Sequence, residues 1–241
     1  MPASRTTGPA RPSARSRAAV PAPAGRAYGG LALEDRVAQR RARFVEAGTA
    51  LFGTEGFRGA TVRGVCAAAG LTDRYFYESF ASLEALLVEV FETLMGGFGA
   101  KLAQAAAGAG AWQGSAADIE RKAAADYELW FAAVRDPRFA RIVLVEVLGV
   151  SAAVDAVYEA AMRAFAEHTI ATLESALPGV RLAPARRALL GRALVGAALQ
   201  VSKLWMHDGY RAPRREVVRT CVLVATGTLE ALRREATSRP G

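Results

Sequence analysis

Eight polar side chains crowd into one short stretch: Thr61, Arg63, Thr72, Asp73, Arg74, Tyr75, Tyr77 and Ser79. The chemistry they offer is recognition by hydrogen bonding. The guanidinium of Arg74 has the planar fork that pairs with guanine O6 and N7, a contact that discriminates bases by about 1–3 kcal/mol. Asp73 can accept from a cytosine amino group, although phosphates repel it. Thr61, Thr72, Tyr75 and Tyr77 can donate to phosphate oxygens and set a docking register. Arg63 and Ser79 complete the candidate DNA-contacting set.

Those side chains need a rigid mount, and the stretch TVRGVCAAAGLTDRYFYESF over residues 61–80 reads as one. Val62, Val65 and Cys66 recur at helical spacing behind Thr61, whose hydroxyl suits an N-cap. Gly70 supplies the positive φ of a tight corner, and Leu71 turns back toward the core. Thr72 opens a second helix in which Phe76 and Phe80 face inward, leaving Asp73, Arg74, Tyr75, Tyr77 and Glu78 outward. The small Cys66 at the crossing permits a steep interhelical angle. Together these features predict a helix-turn-helix, the unit that lays its second helix in the DNA major groove.

The flanks sharpen that prediction. Upstream, Phe44, Gly48, Leu51 and Phe52 share one helical face that ends at Gly56, with Phe57 folding back. Downstream, Ser82 caps a further helix with Ala85 at its third position and Glu84 in the first turn. From about residue 40 to residue 87 the chain resembles the DNA-binding domain of the TetR family of bacterial transcriptional regulators. The likeness rests on Phe44-Val45, Ala47, Leu51-Phe52, Gly56-Phe57, Thr61-Val62, Val65, Ala69 to Thr72, Phe76-Tyr77, Phe80, Ser82 and Glu84 to Leu87. It implies that Thr72 and Tyr77 hold phosphates. Two positions depart from the family pattern, which usually has a basic or polar donor such as histidine at Ser79 and a lysine at Leu83.

Charge is unevenly spread. The chain carries a formal +8, and residues 1–33 hold five arginines (5, 11, 15, 17 and 26) and no acid. From residue 34 to residue 81, seven arginines face six acids, leaving +1. Phosphate attraction scales with the cations brought to the duplex. Residues 1–33 are therefore expected to be a disordered basic arm, a solvated tail or one lying along DNA. Arg40, Arg41 and Arg43 can add to the same attraction or form a solvated face. No apolar run follows the basic residues, which argues against a secretory signal.

At 241 residues, rich in alanine and leucine and without alternating β-branched runs, the chain is expected to be all-α with about nine helices. The predicted organisation is the arm (1–33), a three-helix helix-turn-helix domain (34–87) and a helical effector-binding and dimerisation domain (88–241). Gly96, Gly97 and Gly99 are expected to weaken the linking helix, with a Gly/Ala-rich passage to residue 115. Beyond it, helices are predicted over 118–135, 151–177, 184–207 and 213–235, with a short apolar segment over 139–150. Tyr127, Trp130, Phe131, Tyr158, Met162, Phe165 and Trp205 fall at helical spacings that could line an apolar effector cavity, or equally form plain core.

Leu190, Leu194, Ala197, Ala198, Val201 and Leu204 on one late helix, with Val217, Cys221, Val224, Thr228 and Leu232 on the last, are the expected homodimer face, in keeping with a two-fold palindromic operator of double-stranded DNA. Ordinary packing within the chain is the other reading of that face. Cys66 and Cys221 read as small buried hydrophobes of a reducing cytoplasm. The apolar run over 193–199 is too short to span a membrane.

No H-E-x-x-H, G-x-S-x-G or P-loop occurs, and His168 and His207 are the only histidines, so an enzyme, a metal site or a cofactor site is not expected. The resemblance implies a repressor released from DNA when a small apolar effector shifts the linking helix. The alternative is an all-helical carrier of apolar molecules with weak or lost DNA binding.

Overall fold

The computed structural model describes residues 27–108 and 113–238, with side chains from residue 33 onward. Contacts divide the chain into Met1–Val37 and Ala38–Gly241, each taken separately. Of the first, only the opening turns of a helix are described. The expected arm over residues 1–26 lies outside the described residues. Residues 27–33, expected within the disordered arm, form the first turns of a helix.

Among the described residues there are nine α-helices and no strand. They are α1 (Ala27–Thr54), α2 (Val62–Ala69), α3 (Asp73–Ser79), α4 (Leu83–Ala107), α5 (Ala116–Val134), α6 (Pro137–Arg141), α7 (Ala152–Glu174), α8 (Pro184–His207) and α9 (Arg214–Thr237). A 3₁₀ turn (Phe57–Gly59) follows α1, and a π-helical turn (Ile142–Glu146) continues α6.

The starts of these helices follow local chemistry. Thr61 Oγ1 accepts from Gly64 N at 3.0 Å and Ser82 Oγ from Ala85 N at 3.2 Å, each satisfying a backbone donor that the helix leaves free. Ser115 and Asp118 form a reciprocal capping box on α5. Asp136 caps α6 ahead of Pro137, and Ser151 caps α7. Thr72 occupies the N-cap position of α3 without a side-chain bond.

The three glycines do not end α4, which runs unbroken to Ala107. Each costs about 1 kcal/mol relative to alanine. Burial of Met95, Phe98 and Leu102 on one face offsets this, at about 1.5–3 kcal/mol for each large apolar side chain.

The face expected to pair two subunits is partly consumed inside one. Helix α7 packs on α8, and α5 on α9, which buries Leu194, Ala198, Val217, Cys221 and Leu232. What α8 and α9 leave exposed is Leu204 and Val224 of that expected face, together with Leu189 and Leu223. Gly196 and Gly227 lie on the same helices, and a Cβ added to either would meet nothing within 4 Å. Helices with two apolar faces reveal both in a periodicity, and only the packing tells which is internal.

Candidate nucleic-acid interface and internal cavity

The N-terminal helices are organised around three phenylalanines. Phe44 of α1 meets Phe76 of α3 edge-on with centroids 5.5 Å apart, and Phe80 at 6.3 Å. All three are buried. The corner between α2 and α3 is made by Gly70 at φ 60° and ψ 39°, a left-handed conformation that L side chains resist. A Cβ there would also lie 3.0 Å from a nitrogen of the Arg43 guanidinium. Leu71 N donates to Cys66 O at 3.0 Å and closes the turn. Burial, with Asp73 close by, pushes the Cys66 thiol up to about 11. It is an inert core group, and Cys66 and Cys221 are both free and buried.

On this base α3 presents a polar face. Thr61, Arg63, Thr72, Asp73, Arg74, Tyr77 and Glu78 are exposed, Tyr77 by 62% although its ring packs edge-on to Phe76. Arg74 Nε donates to Glu78 Oε1 at 2.9 Å, so the guanidinium lies along its own helix. The pair is open to water, and releasing the arginine toward a base costs little.

Two expected contacts sit differently. Tyr75 is half-buried beneath the Arg40 guanidinium, 4.5 Å from its ring centroid. Ser79 Oγ donates to Tyr75 O at 2.9 Å and is half-buried, so its proton is spent inside the helix. Leu83 is partly buried against the core, which explains an apolar residue there.

Arg41 is a tie within the protein. It donates to both carboxylate oxygens of Glu89 on α4, and to Ser79 O at 2.5 Å, while its guanidinium lies 4.3 Å from the Phe80 ring centroid. That role is invisible in sequence because Glu89 is 48 residues away. A second tie joins the end of α1 to the π turn: Phe57 N donates to Glu146 Oε2 at 2.7 Å, and Arg141 donates to Glu146 Oε1 and to Thr54 O. Gly53 makes this approach possible, since a Cβ there would fall 2.8 Å from Arg138 Cα.

Farther along α4, helices α4, α5, α7 and α8 line a half-open cavity of about 80 Å³. Four expected residues line it: Tyr127, Trp130, Met162 and Phe165. Three do not. Phe131 and Trp205 pack edge-on to each other, Trp205 donating to Ala212 O at 2.8 Å, and Tyr158 packs on Phe91. The helical spacing of these aromatics is the same whether a residue faces a void or a neighbour.

The lining that the sequence did not reveal comes from Met95, Phe98 and Leu102 of α4, which the glycines disguised, and from Val195, Ala198 and Leu199 of α8. Trp130 is held by its Nε1 donating to the buried Ser202 Oγ at 2.8 Å. Polarity gathers at one end, where Asp126, His168 and Thr169 line the cavity. Lys122 Nζ lies 2.7 Å from Asp126 Oδ2 and His168 Nε2 at 3.9 Å. Burial raises the Tyr127 hydroxyl well above its ordinary range, so it stays protonated.

A helix-turn-helix head with an exposed second helix is thus joined by one long helix to an all-helical domain with a half-open cavity. Residues 44–90 match the model of bacterial regulatory proteins of the tetR family, about a fifth of the chain, and the N-terminal domain is of that family. No curated protein matches in sequence.

Solved structures share the fold at low identity. Fatty acid degradation regulator FadR from Bacillus halodurans is 17% identical with a TM-score of 0.65, over 78% of this chain and 95% of that one. FadR from Bacillus subtilis, solved with stearoyl-CoA, is 15% identical with a TM-score of 0.66, over 77% and 98%. A TetR-like transcriptional regulator from Rhodococcus sp. RHA1 is 18% identical with a TM-score of 0.59, over 79% and 96%. Among the described residues, no helix is long and apolar enough to cross a membrane.

Proposed function

We propose that the protein is a cytoplasmic, ligand-responsive transcriptional regulator: a homodimer that represses from a palindromic operator and leaves it when a small apolar effector enters the cavity. The observation that carries this reading is the continuity of α4. Its first turn is capped by Ser82 beside the reading head, and its later turns place Met95, Phe98 and Leu102 in the cavity wall. A ligand that prefers one position of α4 must, by linkage, prefer one placement of the head.

The apolar lining with a single polar end suits a molecule with one hydrogen-bonding group. The stearoyl-CoA bound by the Bacillus subtilis protein supports a lipid-like effector. At about 80 Å³ the cavity must widen to take one. In the DNA complex Arg74 reads a base, Thr61, Arg63, Thr72 and Tyr77 hold the backbone, and the basic stretch before α1 adds non-specific attraction. Leu189, Leu204, Leu223 and Val224 form the subunit contact.

Selection of duplexes from fragmented genomic DNA by the full chain, followed by fluorescence anisotropy against salt and added alkyl ligands, tests this. Enrichment of a symmetric site, with affinity falling steeply with salt and on ligand addition, is the expected result; no enrichment at low salt rejects it. The pairing of Arg74 with Glu78 favours the carrier as the second reading. Ligand binding without any duplex binding would select it.

A further inference from the structure

Met95 lines two spaces at once. On its inner side is the cavity; on its outer side is an open groove of about 480 Å³ between α4 and α7, lined also by Phe91, Val157 and Ala160. The register of the two helices is given by their aromatics. Phe91 packs on Tyr158 with centroids 6.0 Å apart, and Phe98 on Phe165 at 5.5 Å. Helix α7 therefore runs beside α4 in the same direction, and groove and cavity follow one line, from Phe91 past Met95 to Leu102 and the polar end at Asp126 and His168. The thioether side chain of Met95, itself buried, borders both.

Methionine is the apolar residue most able to move aside, having three rotatable bonds and no branch. Its backbone setting is also weak, because Gly96, Gly97 and Gly99 follow directly, and a Cβ added to any of them would meet nothing within 4 Å. The groove wall carries small side chains and one acid, Glu92.

We infer that Met95 is a gate, and that groove and cavity together take a slender, unbranched aliphatic chain lying along α4. This rests on the cavity being the effector site. From Phe91 to Leu102 the line covers about 16 Å of helix axis, the length of an extended chain of about a dozen carbons. With the gate closed the inner cavity takes only the short end of such a series. The chain displaces Met95 and touches α4 on both sides of the three glycines, so chain length governs how strongly α4 is held.

The test uses the full chain and a homologous series of straight alkanols from hexanol to hexadecanol, read by displacement of an environment-sensitive apolar dye and by thermal shift. Ala160 is exposed in the groove, so Ala160→Trp fills it without disturbing the core. Wild-type affinity is expected to rise with length and level off near dodecanol. Ala160→Trp should weaken dodecanol by about tenfold or more and hexanol by less than about twofold. Met95→Ala should move the other way, tightening dodecanol relative to hexanol by several-fold.

If hexanol binds but neither substitution changes the length preference, the gate is refuted while the cavity remains the ligand site. If no alkanol binds at any length, the effector reading falls and takes the gate with it. Should Ala160→Trp change the sedimentation behaviour and leave dodecanol binding intact, the groove is covered by a second copy of the chain, which also overturns the inference.

Discussion

Arg41 and Glu89 form a two-pronged ion pair, with Nε to Oε1 at 2.9 Å and Nη2 to Oε2 at 2.8 Å, that fastens α1 of the reading head to α4. The same guanidinium reaches Ser79 O at the end of α3, so one side chain fixes the position of all three helices. On the proposed function, a movement of α4 would reach the head in part through this contact.

The pair makes stability depend on pH. Hydrogen bonding from Arg41 lowers the Glu89 pKa against the opposing effect of burial. A carboxylate depressed in the folded state contributes stability that is complete above its unfolded value, about 4.3, and is lost as pH falls below that toward the folded value. Glu89→Gln should cost about 1 kcal/mol at pH 7, a modest figure because both side chains are partly exposed. The gap to wild type should close as pH drops below about 4. Thermal unfolding of both proteins between neutral and acid pH measures it; a gap independent of pH would mean that the ion pair is not the cause.

The pairing of Arg74 with Glu78 predicts opposite effects of two neighbouring substitutions. Arg74→Ala should cost about 1–3 kcal/mol on the selected duplex and much less on a scrambled one. Glu78→Gln frees the guanidinium and removes a repelled acid, so it should tighten binding to both duplexes. Tyr77→Phe should weaken both alike. Anisotropy titrations on the two duplexes decide; equal losses on both from Arg74→Ala would remove its base-reading role.

How much of this was readable in the sequence differs between the two halves of the molecule. The head was legible because its signals are local. Thr61 and Ser82 cap within three residues, Gly70 turns where a turn is needed, and Phe76 and Phe80 sit one helical turn apart. The cavity was only half legible, since Trp130 and Phe131 are adjacent on α5, yet one lines the void and the other packs on Trp205. Periodicity gives a face but not what the face meets. Arg41 was grouped with Arg40 and Arg43 as a phosphate-facing cation or part of a solvated face because its partner is remote, and α4 was expected to weaken at glycines whose cost is met by burial elsewhere on the same helix.

Gly70 should be intolerant of any side chain. Its left-handed φ costs an L residue about 1–2 kcal/mol, and a Cβ would also crowd Arg43. Gly70→Ala should therefore destabilise by about that amount, with Gly70→Asn milder and Gly70→Val worse, since β-branched residues accept this region least. Urea unfolding ranks the three; an alanine variant as stable as wild type would show that the corner does not need the glycine.

The exposed stripe on α8 and α9 gives the last prediction. Leu189 is 72% exposed, Leu223 62% and Leu204 59%, and Gly196 and Gly227 lie open on the same two helices, so two pairs of helices could approach closely there. Leu223→Glu places a charge in the centre of that contact and should weaken dimerisation by about 100-fold or more, with little effect on the stability of the single chain because the residue touches no internal core. Cys221→Ala is the contrasting change. Its thiol is buried, pushed up to about 11 by that burial, and its loss should lower chain stability by about 1 kcal/mol while leaving association unchanged. Sedimentation velocity and thermal unfolding of the two variants separate the roles. A dimer that survives Leu223→Glu and dissociates with Cys221→Ala would move the interface to the face that α5 covers.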